Sequence, residues 1–350
     1  MTPEIDPQLR AAAVGDRTSL NVLFGLPDDQ KATIIVAGDG KPLGFDLVGT
    51  AGLLPHLPPD RFKTYLVYLG PGRTQPLRLG PGPLLNHIGD ADVCAVALKQ
   101  AAQITGSVDR PCFNHPRAVA KSTRDEVSRL FAGIPGLIVP KTVRVRERDP
   151  MDVRKILDRA GFAYPVLVRI AGSHLGMNLI RVDTPDGLDA ISGLDRTDQA
   201  SLYVTEFFNF VSPDKRHRKF RVVVIGEDIF LRHCIIAEHW MIHRNDRAAN
   251  TEEAERATFM TFDREWKGHL QPIFREMGAR LGLDYFGVDC NIDDAGKVLL
   301  FEANPCMNIL ANTSRSPNMW DGPIADIKEA LEQRLATPAT WRHFNSRTTA

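Results

Sequence analysis

Residues 285–305, YFGVDCNIDDAGKVLLFEANP, constrain this chain more than any other segment. Two apolar runs flank a short acidic stretch ending in glycine, which predicts a β-hairpin turning at residues 293–296. Side chains alternate between the faces of a strand. Val298, Leu300, Glu302 and Asn304 therefore share one face of the second strand, and Leu299, Phe301 and Ala303 the other. Asp289 and Asn291 share a face of the first strand, and folding back about the turn sets Asp289 opposite residues 300–302. Two carboxylates and an amide oxygen converge at one end of the hairpin. Solvated carboxylates at strand ends are the alternative reading, but within VLLFEANP an unpaired buried carboxylate is costly. Such a set of hard oxygens suits Mg²⁺, which takes one or two protein carboxylates and completes its octahedron with water and phosphate.

The rest of the chain has the composition of a globular protein, and 350 residues at 43% hydrophobic content suffice for two or three domains. Lys and Arg total 43, as do Asp and Glu. No net field draws in nucleic acid or an anionic membrane, so any anion binding is local. The five cysteines, Cys94, Cys112, Cys234, Cys290 and Cys306, form no CxxC pair, as expected of reduced thiols in a cytoplasm. The N-terminus lacks a signal-peptide pattern, and no apolar run approaches the ~18 residues needed to span a bilayer. A cytoplasmic protein is expected.

Residues 32–37 and 64–69 read as buried parallel strands of an open α/β unit. Between them, GDGKPLGFDLVGT offers either an anion-binding turn or a plain surface turn. Helices are predicted over 91–104 and 117–131, a strand within 134–147, and a helix through DPMDVRKILDRAG with Asp149 as N-cap and Gly161 as stop. Residues 164–182 read as two strands joined by a glycine loop. SLYVTEFF, KFRVVVIG and DIFLRHCII read as strands of one antiparallel sheet, the last two joined at Gly226-Glu227. Trp266, Leu270, Ile273, Phe274, Met277 and Leu281 form one apolar helical stripe. The tail after Leu335 is expected to be a loosely attached end.

VDCNIDDAGKVLLFEANPCM resembles the C-terminal metal motif of the ATP-grasp superfamily, in which an Asp precedes Glu-x-Asn at the spacing kept here by Asp289, Glu302 and Asn304. That superfamily includes the D-alanine ligase, glutathione synthetase and ribosomal-protein glutamate ligase branches. AEHWMIHRND further resembles an ATP-grasp subgroup often attached to helical repeats, a likeness over roughly residues 80–310. The resemblance implies the ATP-grasp fold, of class α/β and α+β. Its parts would be an N-terminal open α/β domain (1–116), a small central α+β domain with the glycine loop (117–200) and a C-terminal antiparallel-sheet domain with the metal site (201–350). It also implies ATP, with two Mg²⁺ ions bridging the phosphates.

A triphosphate needs several cations and backbone amides from separate segments. AGSHLG, with Gly172, Ser173 and Gly176, can bend over phosphates and offer its N–H groups, although a plain hairpin turn has the same composition. By resemblance this is the glycine-rich loop that covers ATP. Arg169 stands where a nucleotide-binding Lys usually sits, a planar fork in place of a point donor, and Lys121 resembles the other phosphate-binding Lys. Glu206 and Phe207 match the linker whose backbone bonds adenine, Phe208 its apolar lining, and Asp214 a ribose ligand. Arg221 and Arg232 match the arginine placed at the phosphates and are the catalytic candidates. Arg221 shares a face with Val223 and Ile225 and so needs a partner. His239, Trp240, His243, Arg244 and Asn245 are acceptor-site candidates, with a structural role the alternative for each histidine.

The implied activity is that of an ATP-dependent carboxylate–amine ligase. The γ-phosphoryl group passes to a substrate carboxylate, and an amine attacks the acylphosphate. The expected partners are a small carboxylate and an amine, as amino acid or peptide, without nucleic acid or membrane; a homodimer is left open. No side-chain nucleophile is required, so Cys306 reads as a small buried hydrophobe. D-alanine ligases carry an Arg two residues before the metal Asp, where this chain has Gly287. That disfavours D-alanine and asks for a compensating cation: Arg232, Arg244 or Arg315. A small-molecule kinase and a non-catalytic nucleotide-binding partner are the alternative readings, the latter favoured by Arg169 and Gly287.

Overall fold

The computed structural model describes residues 17–36, 42–72, 77–173, 176, 178–194, 200–243 and 246–344. The first sheet is built around Thr18–Gly25 (β1), whose Leu20, Val22 and Leu23 are fully buried. It pairs in parallel with Phe62–Leu69 (β4) and Leu84–Asn86 (β5), and β5 pairs with Cys112–Phe113 (β6). Consecutive apolar residues on β1 are what burial on both faces requires. Ala97, Leu98, Ala101 and Ile104 recur at helical spacing on Ala95–Ser107 (α1), which packs on β1 and β4. The expectation of a parallel strand holds for β4 and fails for residues 32–37. Thr33–Val36 (β2) instead makes an antiparallel hairpin with Pro42–Asp46 (β3), and Ile34 is exposed. Residues 37–41, in and before the glycine turn, lie outside the described residues.

The helix expected over 117–131 is two helices, Pro116–Val119 (α2) and Arg124–Phe131 (α3). Ser122 Oγ donates to the Val119 carbonyl at 2.7 Å, and Thr123 is extended, so the first helix ends and the second starts afresh. Lys121 falls in the break. Asp149 accepts from the Met151 N–H at 2.8 Å and caps Pro150–Arg159 (α4), with Gly161 at φ +66° beyond its end, as predicted.

Thr142–Val145 (β8), Val166–Ile170 (β9), Leu179–Val182 (β10) and Leu202–Glu206 (β11) form a central antiparallel sheet of order β10-β9-β11-β8. β11 was expected beside the strands that follow it. It joins this sheet because Leu202 and Val204 share a core with Val153, Leu157, Val166 and Val168.

The third sheet runs β13-β12-β14-β15-β7, from Asp228–Ala237 (β13), His217–Ile225 (β12), Tyr285–Ile292 (β14), Val298–Asn304 (β15) and Leu137–Ile138 (β7). Gly226, at φ +60°, turns β12 into β13. Glu252–Thr261 (α5) and Lys267–Leu281 (α6) cover this sheet. α6 buries Leu270, Ile273, Phe274, Met277 and Leu281, the predicted stripe. Asp321–Leu335 (α7) packs on β12 and β13. The tail beyond it is attached as far as Phe344: Trp341 is buried against Phe113, the Arg342 N–H donates to Asp284 at 2.7 Å, and Phe344 stacks on His115, while residues 345–350 lie outside the described residues. Among the described residues no helix is long and apolar enough to cross a membrane.

His87 ties the first unit together. Its Nε2 accepts the N–H groups of Leu53 and Leu54 at 2.9 and 3.1 Å, and burial brings its pKa down to about 4. The folded state therefore takes up the proton later than the unfolded chain does. Stability should fall as pH drops below about 6.5 and level off below about 4, by on the order of 3 kcal/mol in all. Urea melts across this range should show the slope in the native protein and a shallower one in His87→Gln; identical slopes would remove His87 as the cause.

Candidate functional site

A cavity of about 520 Å³ lies between the central and C-terminal sheets, within the ~300–1,000 Å³ usual for small-molecule sites. The hairpin of β14 and β15 supplies one wall. Asp289 and Glu302 are direct partners across it, within the span 300–302 expected opposite Asp289. The next rung pairs Cys290 with Leu300, so Phe301 is an extra residue on β15. This bulge breaks the expected alternation, re-aims the strand end and lets Phe301 pack on Phe210, 4.7 Å between ring centroids.

The polar groups of the hairpin are tightly engaged. Arg221 on β12 holds both oxygens of Asp289, at 2.7 and 2.9 Å, and donates to the Asn308 carbonyl at 2.8 Å. Burial alone would raise the Asp289 carboxyl, but the charge and hydrogen bonds of Arg221, with Lys219 behind, hold it well below the usual carboxylate range. Arg124, the first residue of α3, pairs with Glu302 at 2.6 Å and donates to the Phe301 carbonyl at 3.1 Å. Asn304 Nδ2 donates to Glu302 at 2.7 Å, while its Oδ1 accepts from the Cys306 N–H. The donors present fit a hard divalent cation. Asp289 is ionised and Glu302 faces it; each Asp289 oxygen keeps a lone pair beyond its bond to Arg221, whereas Glu302 Oε1 accepts from both Arg124 and Asn304 and would have to exchange a donor for a cation. Among the described residues no three His, Cys, Asp or Glu side chains cluster as a metal cage, so a cation here would need phosphate or water for the rest of its shell.

The central sheet supplies the facing wall. Arg169 on β9 lines the cavity and donates to the Ser173 carbonyl, but its buried Nε has no hydrogen-bond partner among the described residues. Burial, then the nearby charge of Arg124, brings this guanidinium down to about 10. An anion placed there would relieve both. Gly176 also lines the cavity at φ +68°, and a Cβ on it would meet His243 Nε2 at 2.2 Å. Gly176 thus lies against His243 in a contact only glycine permits. Gly172 and Ser173 are not on the cavity wall: Gly172 packs toward Val93, and the Ser173 hydroxyl donates to the Ile170 carbonyl. Loop residues 174, 175 and 177 lie outside the described residues.

Glu206, Phe207 and Phe208 line an aromatic end, where Phe207 meets Trp240 edge to face at 5.4 Å. The Glu206 and Phe207 N–H groups are already spent on the Lys141 and Pro165 carbonyls, at 3.0 and 3.1 Å. A base bound there would meet the carbonyls of these two residues, not their N–H groups. Arg232 lines the cavity with its fork on the Ile309 and Ala311 carbonyls, at 2.6 and 3.1 Å.

Two expected ligands are elsewhere. Lys121 is not on the cavity wall; its ammonium sits over the Phe344 ring. Asp214 is held outside by Arg218 in two bonds of 2.9 and 2.7 Å, which bring its carboxyl down to about 2. Trp240 and His243 line the cavity, whereas His239 is exposed, and Arg244 and Asn245 lie outside the described residues. Arg315 is exposed and off the wall. Sequence reasoning missed Arg124, Lys219 and Arg247 on the cavity wall. For Arg124 a signal existed: Thr123-x-x-Glu126 is a helix-start pattern that places Arg124 at the head of a new helix.

No family model matches the sequence, and no curated protein matches it. Solved structures do match. D-alanine-D-alanine ligase from Coxiella burnetii gives a TM-score of 0.54 at 13% identity, over 93% of this chain and 95% of that one. This chain has the ATP-grasp fold. VanG D-Ala:D-Ser ligase from Enterococcus faecalis gives 0.52 at 14% identity, over 91% and 100%. Carboxyaminoimidazole ribonucleotide synthase from Aspergillus clavatus, complexed with ATP, gives 0.50 at 12%, over 89% and 77%.

Within this fold, Gly287 packs on Met307. A Cβ there would lie 2.7 Å from Met307 Sδ and 3.0 Å from Met307 Cβ, so a side chain there would have to displace Met307, and Arg221 and Lys219 are the cations beside Asp289. Gly287→Ala should cost roughly 1–3 kcal/mol through overpacking. Denaturant melts would check this; an unchanged midpoint would show that the segment at Met307 yields freely.

Proposed function

We propose that this protein is an ATP-dependent ligase that phosphorylates a substrate carboxylate and joins it to an amine. The observation that carries the reading is the Asp289–Glu302 rung, with Asn304 bonded to Glu302, facing Arg169 and Gly176 across one cavity of the ATP-grasp fold. Asp289, Glu302 and Asn304 are the residues that would hold Mg²⁺, which when bound neutralises phosphate charge. Arg169 and Arg124 take the phosphates in this reading, and the Phe207–Trp240 end takes the base.

A carboxylate oxygen of the substrate forms a bond to the γ-phosphorus as the bond to the β,γ-bridging oxygen breaks, and ADP leaves. The amine nitrogen then attacks the acyl carbon; phosphate departs and the nitrogen loses a proton. Arg221 and Arg232, fixed by Asp289 and by backbone carbonyls, stabilise the charge in transfer without reorganising. Cys306 takes no part: burial pushes its thiol well above the usual range, and its Sγ lies against Asn304 Oδ1 at 3.2 Å. The carboxylate and amine are small molecules, amino acids or peptides. D-alanine is not proposed, since the position of its ligases' arginine is Gly287 here, packed on Met307.

Incubation with ATP, Mg²⁺ and pools of amino acids and short peptides should yield ADP, phosphate and an amide. Glu302→Gln should reduce that turnover at least a hundredfold; an unchanged rate would remove Glu302 from the site. Arg124→Met should weaken ATP binding roughly ten- to a hundredfold, the worth of a charge-assisted contact, while Lys121→Met leaves it intact. Calorimetric titration of both variants would check this, and the reverse order of effects would return Lys121 to the nucleotide.

A further inference from the structure

The arginines on the cavity wall differ in how their donors are spent. Arg221 uses all three nitrogens, on Asp289 and the Asn308 carbonyl, and Arg124 uses both Nη groups on the hairpin. Arg247 uses only Nε, on the Glu255 carboxylate at 2.8 and 2.9 Å. Its Nη1 and Nη2 have no hydrogen-bond partner among the described residues. Everything behind this fork is rigid. Glu255 is 1% exposed and accepts from the Ile236 N–H and the Thr251 hydroxyl at 3.2 Å each. The guanidinium lies over the Trp320 ring, 5.1 Å from its centroid, and the Arg247 backbone bridges to Ala237. Lys219 and Arg232 on the same wall keep the surroundings positive despite Glu255. An arginine oriented by a buried carboxylate and an aromatic face, with two outer N–H groups left over, is preorganised for a planar carboxylate.

We infer that Arg247 binds a free carboxylate that does not react, carried by the amine substrate, which is therefore an amino acid or a peptide with an open C-terminus. This rests on the reading of the cavity as a ligase site. The carboxylate that is phosphorylated has to act as a nucleophile toward the γ-phosphate, whereas a bidentate pair with Arg247 draws charge from both of its oxygens; the fork suits the spectator group.

The test is saturation-transfer NMR on the full chain with Mg²⁺ and a non-hydrolysable ATP analogue. One pool holds the common free amino acids and dipeptides, the other their C-terminal carboxamides. Free acids should give signals and carboxamides none, and Arg247→Gln should weaken the free-acid affinity at least tenfold. Because that variant strands Glu255, Arg247→Gln/Glu255→Gln, with a neutral amide pair, should show the same loss in a folded protein. Equal binding of carboxamides, a preference that survives in the double variant, or no binding of any free acid overturns the inference. Amide formation that runs equally well with carboxamides overturns it and leaves the ligase reading standing. Carboxylate-selective binding without ATP turnover sinks the ligase reading and with it overturns the assignment of that carboxylate to an amine substrate, leaving Arg247 as a carboxylate site alone.

Discussion

The bidentate pair between Arg221 and Asp289 is the interaction on which the cavity depends. Asp289 is 6% exposed, in a strand buried along its whole length, and an unpaired carboxyl there would take up a proton. Arg221, its direct partner on the adjacent strand, keeps it charged, and the same guanidinium reaches the Asn308 carbonyl and pins the segment after β15. Removing either partner strands a buried charge at roughly 3–5 kcal/mol. The segment that Arg221 reaches also carries Met307, packed on Gly287, and the Ile309 and Ala311 carbonyls that hold Arg232.

A second network sets the central sheet over the cavity. Arg144 on β8 reaches Asp92 of the first unit at 2.7 Å and Asp125 of α3 at 3.1 Å, and the Tyr203 hydroxyl donates to Asp92 at 2.6 Å. Asp125 adjoins Arg124, which holds Glu302. One dipeptide at the head of α3 therefore links the central sheet to the carboxylate hairpin. This explains why a break between α2 and α3 matters: a continuous helix would carry these two side chains in other directions.

Much of this was legible as local pattern. The hairpin turn, the approach of Asp289 to residues 300–302, the capped helix from Pro150 and the α6 stripe each express a period of two or of 3.6 with turn chemistry beside it. What escaped was tertiary. Leu202–Glu206 has strand alternation but nothing in it names its sheet. The Phe301 bulge leaves apolar and polar residues in the same order with or without it. Asp214 was lost to Arg218, a competitor four residues away that composition does not rank above a ribose. Gly287 packs on Met307 in a contact that only the folded chain creates.

The central claim, that the Asp289–Glu302 rung is where metal and nucleotide meet, is tested most directly by a crystal structure with Mn²⁺ and a non-hydrolysable ATP analogue. An anomalous peak between the two carboxylates is predicted, with the phosphates against Arg169 and the base beside Phe207. Nucleotide bound with no metal signal between the carboxylates would contradict it.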